Sequence, residues 1–316
     1  MSSPGVLDSI LIFFGVHRRS SAVNRFCGAA AGWVLAAGAA LAQPAADVVY
    51  VPTPQPVVDR MLQMARVGEH DFLIDLGAGD GRILITAARR YGARGFGVDT
   101  DPERVREANA AAARAGVAEK VRFAERNLFE QDIRGASVVA LYLMPEVNLR
   151  LRPKLLAEMR PGARVVSHDY HMGDWFPDAT LTVESPGKVE GTPGVSEIYV
   201  WVIPAAVSGK WSFRAWTGGA ERKGELALVQ RYQHVGGALV EEGHKDPLRE
   251  AKLSGDQITF ALTAREGAKL VFSGRVAGNQ MRGAVRDAQG RTVGSWLANR
   301  TTPVEPADPN ARRAAN

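Results

Sequence analysis

The run Asp75-Leu76-Gly77-Ala78-Gly79-Asp80-Gly81 is the part of this chain best suited to chemistry. It follows a short apolar stretch and opens a helical pattern. Glycine lets a backbone turn sharply and approach a ligand with no Cβ in between. Dinucleotide sites use G-x-G-x-x-G to bring a pyrophosphate to a helix N-terminus. Here the spacing is G-x-G-x-G after an aspartate. A ligand presenting an ammonium beside a carboxylate suits that arrangement, because Asp75 can hold or orient the cationic side. S-adenosylmethionine (SAM) is such a ligand. Asp99 follows at a short helix-length, at the end of the next apolar run, where a carboxylate can accept both hydroxyls of a ribose. The alternative for Asp99 is a strand-end or capping acid, although Asp101 is better placed to cap the helix beginning at Pro102.

From Pro54 to about Pro204 strand and helix patterns alternate, which predicts a doubly wound, Rossmann-like α/β sheet that would hold these carboxylates at strand ends. Val57, Val58, Met61, Leu62 and Ala65 fall at helical spacing, and Phe72 to Leu76 is the strand before the glycines. Ile83, Leu84, Ala87 and Ala88 line a helix, Gly95 to Val98 a strand, and the Ala-rich run from Pro102 to Ala115 a helix. Val121 to Ala124, Val138 to Leu143 and Arg164 to Ser167 are predicted strands, with a helix over Leu149 to Met159 stopped by Pro161-Gly162. Leu181 to Glu184 and Glu197 to Val202 fit a closing antiparallel pair.

Beyond Ala206 alternation replaces this rhythm, in Leu226/Leu228, Ile258/Phe260/Leu262, Leu270/Phe272 and Met281/Val285. Turns are expected at Glu266-Gly267, Gly278-Asn279 and Gln289-Gly290. Roughly eight short strands predict a small antiparallel β-barrel, lipocalin-like, with Trp211 and Trp296 as plugs at its two ends. The expected domains are 43–206 for the SAM-binding unit and 207–302 for the barrel, with a Pro- and Ala-rich tail, 303–316, expected to be disordered.

Arg18, Arg19 and Arg25, the apolar run Phe26 to Leu41 and Ala40-Leu41-Ala42 have the three parts of a secretory signal peptide over residues 1–42. They predict export, to a periplasm, with Gln43 as the mature N-terminus; an uncleaved anchor is the alternative. Cys27 is the single cysteine, which excludes an intramolecular disulfide and a multi-cysteine zinc site. The formal charge of +5 falls to +3 without the first 42 residues and is scattered, so nucleic acid is not an expected partner.

Together these residues resemble class I methyltransferases. They resemble one branch closely: the lysine methyltransferases of the ATP synthase c-subunit and the adenine nucleotide translocase, with their bacterial relatives, distantly akin to Dot1. The resemblance rests on Val51-Pro52-Thr53-Pro54, the run from Asp75 to Ile83, Gly97-Val98-Asp99, Asn127-Leu128-Phe129, Gly162 to Val165 and Trp175, spanning residues 50–176. It implies SAM as cofactor, held by Thr53, Asp75, Gly77, Gly79, Gly81, Asp99, Asn127 and Leu128. It implies a protein lysine as acceptor, on a small membrane protein. Peripheral membrane contact is then expected, with the apolar Val48, Val49, Tyr50 and Val51 placed to lie against such a target. The family usually has Glu at Asp99 and Asp at Asn127. The Asn127 carbonyl can still accept from an adenine amino group, or it can close an Asx turn. Tyr142 is the candidate catalytic residue, where the family's substrate channel opens; its alternative is packing over the next helix.

Lysine methylation needs no covalent intermediate, only a neutral amine in line with the sulfonium methyl. His168, Asp169, His171 and Asp174 have residue types that bind metals, but their spacing fits a metal poorly. A pocket wall, substrate steering or ordinary loop polarity are the readings left for them. Two alternatives stand beside methyl transfer: aminopropyl transfer to a polyamine, for which Glu146 is the nearest acid, and a non-catalytic protein whose barrel holds a small apolar ligand.

Overall fold

Four consecutive buried residues, Leu73 to Leu76, mark β1 (Phe72–Leu76) as a strand covered on both faces. The computed structural model describes residues 50–188, 192–264, 267–304 and 307. The expected signal segment, Cys27, Val48 and Val49 lie outside the described residues. The first half contains α1 (Gln55–Met64), β1, α2 (Arg82–Tyr91), β2 (Arg94–Asp99), α3 (Pro102–Arg114), β3 (Val121–Glu125), β4 (Val138–Leu141), α4 (Pro145–Glu158), β5 (Arg164–His168), β6 (Ala179–Ser185) and β7 (Gly194–Val202). Its sheet has the order β3-β2-β1-β4-β5-β7-β6. Strands β1 to β5 are parallel, and β7 runs antiparallel to β5 and β6. The order reverses between β1 and β4, which opens a crevice at their carboxyl ends, where open α/β sheets bind ligands.

Local chemistry sets the boundaries. Gly92, at φ 75°, stops α2, while Pro102 and the Asp101 side chain, accepting from Glu103 N at 2.8 Å, start α3. Helix α4 begins at Pro145, four residues before the expected Leu149. Its first turns carry Asn148 inward, fully buried, so apolar spacing alone does not reveal that they are helical.

The second half is all strand: β8 (Gly209–Thr217), β9 (Ala220–Arg231), β10 (His234–Glu241), β11 (His244–Pro247), β12 (Arg249–Ser254), β13 (Gln257–Thr263), β14 (Lys269–Ala277), β15 (Gln280–Arg286) and β16 (Thr292–Arg300). They form one nine-stranded antiparallel sheet, β11-β10-β9-β8-β16-β15-β14-β13-β12, curled until β10 and β12 adjoin in a nearly closed barrel. Arg222 fastens the seam. Its guanidinium reaches Glu241 Oε2 at 2.7 Å, Asp246 Oδ2 at 3.1 Å and the Thr263 carbonyl at 3.1 Å, joining β9, β10, β11 and β13.

Nine strands replace the roughly eight expected. Alternation is weak in β10, which contains Gly236-Gly237, and in β12, where Leu253 is the one fully buried residue. Trp296 is not an end plug. It packs in mid-core against Phe260 (5.3 Å between ring centroids) and Phe213 (6.0 Å), while Trp211 lies under the Arg300 guanidinium at 4.1 Å. Among the described residues, Phe213, Phe260, Phe272 and Trp296 pack on one another in this core. Ala205 already belongs to the barrel core, and its carbonyl accepts from Gln230 Nε2 at 2.9 Å. In the tail expected to be disordered, Ala307 is buried and its carbonyl accepts from Tyr232 N at 2.9 Å.

Candidate functional site

Loop Gly77–Gly81 lies at the carboxyl end of β1, beside the β1–β4 reversal. Gly77 and Ala78 both donate their amides to the Val98 carbonyl at 2.9 Å, which folds the loop back against β2. Gly77 and Gly79 have φ of 86° and 53°, and a Cβ on Gly79 would meet the Tyr50 ring at 2.3 Å. Those values need glycine. Gly81, also at positive φ, is the N-cap of α2.

Asp75 is buried, and its Oδ2 has no hydrogen-bond partner among the described residues. Burial, with Asp99 and Asp80 nearby, pushes its carboxyl up to about 8. A cation in the crevice would reverse that shift by stabilising the carboxylate. Asp99 ends β2, as expected. Its Oδ2 accepts from Gly79 N at 2.9 Å and its Oδ1 from Asp101 N at 3.1 Å. These bonds aim the carboxylate and leave each oxygen further acceptor capacity for a diol.

The segment before α1 is bound to this loop by contacts that the sequence does not announce. Tyr50 Oη accepts from Asp80 N at 3.3 Å, and the Arg104 guanidinium lies 5.1 Å from the Tyr50 ring centre. Arg82 grips Asp80 (Nε to Oδ2, 2.9 Å) and donates to the Thr53 carbonyl at 2.8 Å. Burial alone would raise the Asp80 carboxyl; the Arg82 guanidinium outweighs it and holds it below the usual range. Thr53 itself is buried, with Oγ1 3.2 Å from His168 Nδ1.

Across the crevice, Tyr142 is the first residue beyond β4. Its ring lies against His168, tilted by 32° with centroids 3.9 Å apart, and runs nearly parallel to Tyr170 at 6.2 Å. His168 is fully buried between Thr53 and Ser196, whose Oγ is 2.9 Å from Nε2. Burial drives the imidazole down to about 4; Lys188 adds to this and Asp169 opposes it, so the ring is neutral near pH 7. Asp169 pairs with the buried Lys188 Nζ at 2.6 Å. The result is an aromatic, largely uncharged wall, a suitable setting for a neutral amine.

The other candidates separate. His171 Nδ1 accepts from Gly173 N, and Asp174 turns away to Arg152 (2.6 Å), Arg231 (2.7 Å) and Tyr232 (3.0 Å). Asn127 is exposed, and its Oδ1 accepts from Phe129 N at 3.0 Å, an Asx turn; Leu128 packs against the core beneath. Tyr50, expected to lie against a target, instead covers Gly79, and the Asp80–Arg82 clamp and the Thr53–His168 bridge were not foreseen. Tyr50 stands in the matching Val51-Pro52-Thr53-Pro54 neighbourhood, the one signal that pointed to it.

The family profile described as the ANTKMT methyltransferase domain matches residues 75–179, ending before the barrel. A protein-lysine N-methyltransferase of Saccharolobus islandicus is 43% identical over 157 residues, which cover 49% of this chain and 94% of that protein. The adenine nucleotide translocase lysine N-methyltransferase of Mus musculus is 35% identical, over 43% of this chain and 58% of its own length. The match therefore spans little more than half of the mouse relative. A solved RNA methyltransferase from Salinibacter ruber, in complex with S-adenosyl-L-homocysteine, is 52% identical over 50% of this chain and 96% of its own, with a TM-score of 0.45.

Proposed function

We propose, from the premise that this chain belongs to the family of its archaeal protein-lysine N-methyltransferase relative, that it methylates the ε-amine of a protein lysine. It is a SAM-dependent methyltransferase. The crevice suits that cofactor: glycines at positive φ form the tight turn at the carboxyl end of β1, and among the described residues a buried carboxylate oxygen lacks a partner beside them. Asp75 would face the amino-acid end and Asp99 the ribose, with Thr53 and Leu128 beside them. Asn127 would meet the adenine only by sharing the oxygen that closes its turn. When bound, SAM supplies an electrophilic methyl group on a cationic sulfur.

The observation that carries the lysine reading is the wall opposite the loop. Tyr142 lies against a histidine kept neutral by burial, so the wall presents no imidazolium to an approaching amine. Tyr142, braced by His168, is placed to orient the amine, and the aromatic surroundings disfavour its charged form. The acceptor we favour is a lysine on a small apolar membrane protein, in keeping with the substrates named for the animal relatives. A lysine at a bilayer surface is partly desolvated, and its neutral form is more populated. Purified protein incubated with labelled SAM and with separated membrane and soluble fractions tests this by mass spectrometry. Label on membrane-protein lysines is expected. Label confined to soluble proteins, carboxylates or metabolites would sink it.

Export with cleavage after Ala42 is a separate proposal, supported by the segment Arg18 to Ala42. It places the enzyme away from the cytosol, where SAM is made. Gln43 at the N-terminus of protein purified from its native cell would bear it out; an intact leader there would refute it.

A further inference from the structure

The outer wall of the barrel carries charges that neither the fold nor the crevice requires. Strand registers set Arg275 of β14 opposite Arg282 of β15, Arg282 opposite Leu297 of β16, Leu297 opposite Arg214 of β8, and Arg214 opposite Lys223 of β9. Opposed residues share a face. The intervening Val276, Met281, Trp296 and Phe213 are buried, so this row points outward. Arg214 and Arg275 are 59% and 68% exposed, and Arg282 and Lys223 are exposed as well.

Acids relieve only part of the row. Glu221 lies 3.7 Å from Arg214 and Asp256 lies 3.2 Å from Arg275. Arg282 and Lys223 have no carboxylate partner among the described residues. Like charges directly opposed across a pair of strands are unfavourable, so Arg275 against Arg282 is tolerated rather than needed by the fold. Trp216, two residues from Arg214 on the same face, is 41% exposed; Trp175, Trp201, Trp211 and Trp296 are buried. A tryptophan and a leucine thus sit among four cations on a convex wall.

We propose that this wall docks on an anionic lipid bilayer, with the basic side chains at the headgroup phosphates and Trp216 at interfacial depth. Tryptophan favours that depth, and clustered Lys and Arg are drawn to the negative surface potential. Single-stranded nucleic acid fits less well. It is held in grooves with successive aromatic platforms, and this surface is convex with one exposed ring. The inference does not depend on the methyl acceptor, because binding is read without SAM.

The test is co-sedimentation of the full chain with vesicles of phosphatidylcholine, with and without phosphatidylglycerol, at low and high salt. Comparing one chain on two lipids isolates the wall from any apolar contact made elsewhere. Added phosphatidylglycerol is expected to strengthen binding in a salt-sensitive way. The double variant Arg282→Gln/Lys223→Gln should lose about 5-fold of that gain per charge removed, with its thermal transition unchanged. A vesicle-induced blue shift in tryptophan emission should vanish in Trp216→Phe. No gain from phosphatidylglycerol, or a gain undiminished in the double variant, overturns the proposal. So does tighter binding to a single-stranded oligonucleotide than to the anionic vesicles.

Discussion

The two halves of this molecule put their buried charged groups to different uses. In the barrel, Arg222 meets two carboxylates and a carbonyl at the seam, and the core is aromatic, with Phe260 stacked on Phe272 at 5.2 Å. In the sheet half, Asp75 is buried with an oxygen lacking a partner, and His168 is held neutral in full burial. Both lie at the β1–β4 crevice, where a bound cation would stabilise the Asp75 carboxylate. Among the buried oxygens without a partner, Asp75 Oδ2 is the one beside the glycine loop, and that position ties it to the site.

The largest effect that could break this contrast is in the barrel. Phe272→Ala should cost about 3–5 kcal/mol of stability, because it leaves a cavity in the aromatic core. Calorimetric SAM binding below the unfolding temperature should remain intact, and a lost affinity would show that the halves act as one. Asp99→Ala should do the reverse. Losing a charge-assisted contact of about 2–3 kcal/mol weakens SAM binding about 30- to 150-fold, with little change in the thermal midpoint. An unchanged dissociation constant would remove Asp99 from the site.

His168 sharpens the comparison through pH. Its folded pKa of about 4 lies below the ordinary 6.5, so between those values the unfolded chain binds the extra proton. The His168 contribution to stability therefore rises with pH across that window and is lost on acidification, by on the order of 1–3 kcal/mol, while buried Asp75, pushed up to about 8, contributes with the opposite sign. Urea unfolding of the wild type and of His168→Gln at pH 7 and pH 4.5 isolates it: relative to the variant, the wild type should lose more stability on acidification. An equal difference in that variant would assign the acid sensitivity elsewhere.

The smallest effect concerns the join. Asp174 receives Arg152 from α4 and both Arg231 and Tyr232 from the end of β9 and its turn, while Trp175 Nε1 donates to Gln233 Oε1 at 3.0 Å. Asp174 is partly exposed, so Asp174→Ala should cost only about 1 kcal/mol. It should also begin to split one calorimetric transition into two. The fragment 207–302 is expected to unfold cooperatively alone, and more so when extended to include Ala205. A fragment with no transition would mean that the two cores are one.

Much of this protein follows from local sequence. Alternation and helical spacing are set by neighbours a few residues apart, so the strand–helix rhythm, the glycine turn after β1 and the carboxylates Asp75 and Asp99 at strand ends are legible without coordinates. The change to continuous strands after Ala206 is legible for the same reason. Strands β10 and β12 are not, because two glycines and alternating charges obscure the period. Contacts between distant residues lie further from reach. Thr53 meets His168 across 115 positions, Tyr50 covers Gly79, and Arg222 closes a seam whose partners come from three other strands. Asp174 reads like a site acid and serves as the tie between halves. Sequence spacing encodes which face a side chain takes within its own element. Which two elements are brought together depends on strand order and on how the sheet curls, and only the tertiary structure decides that.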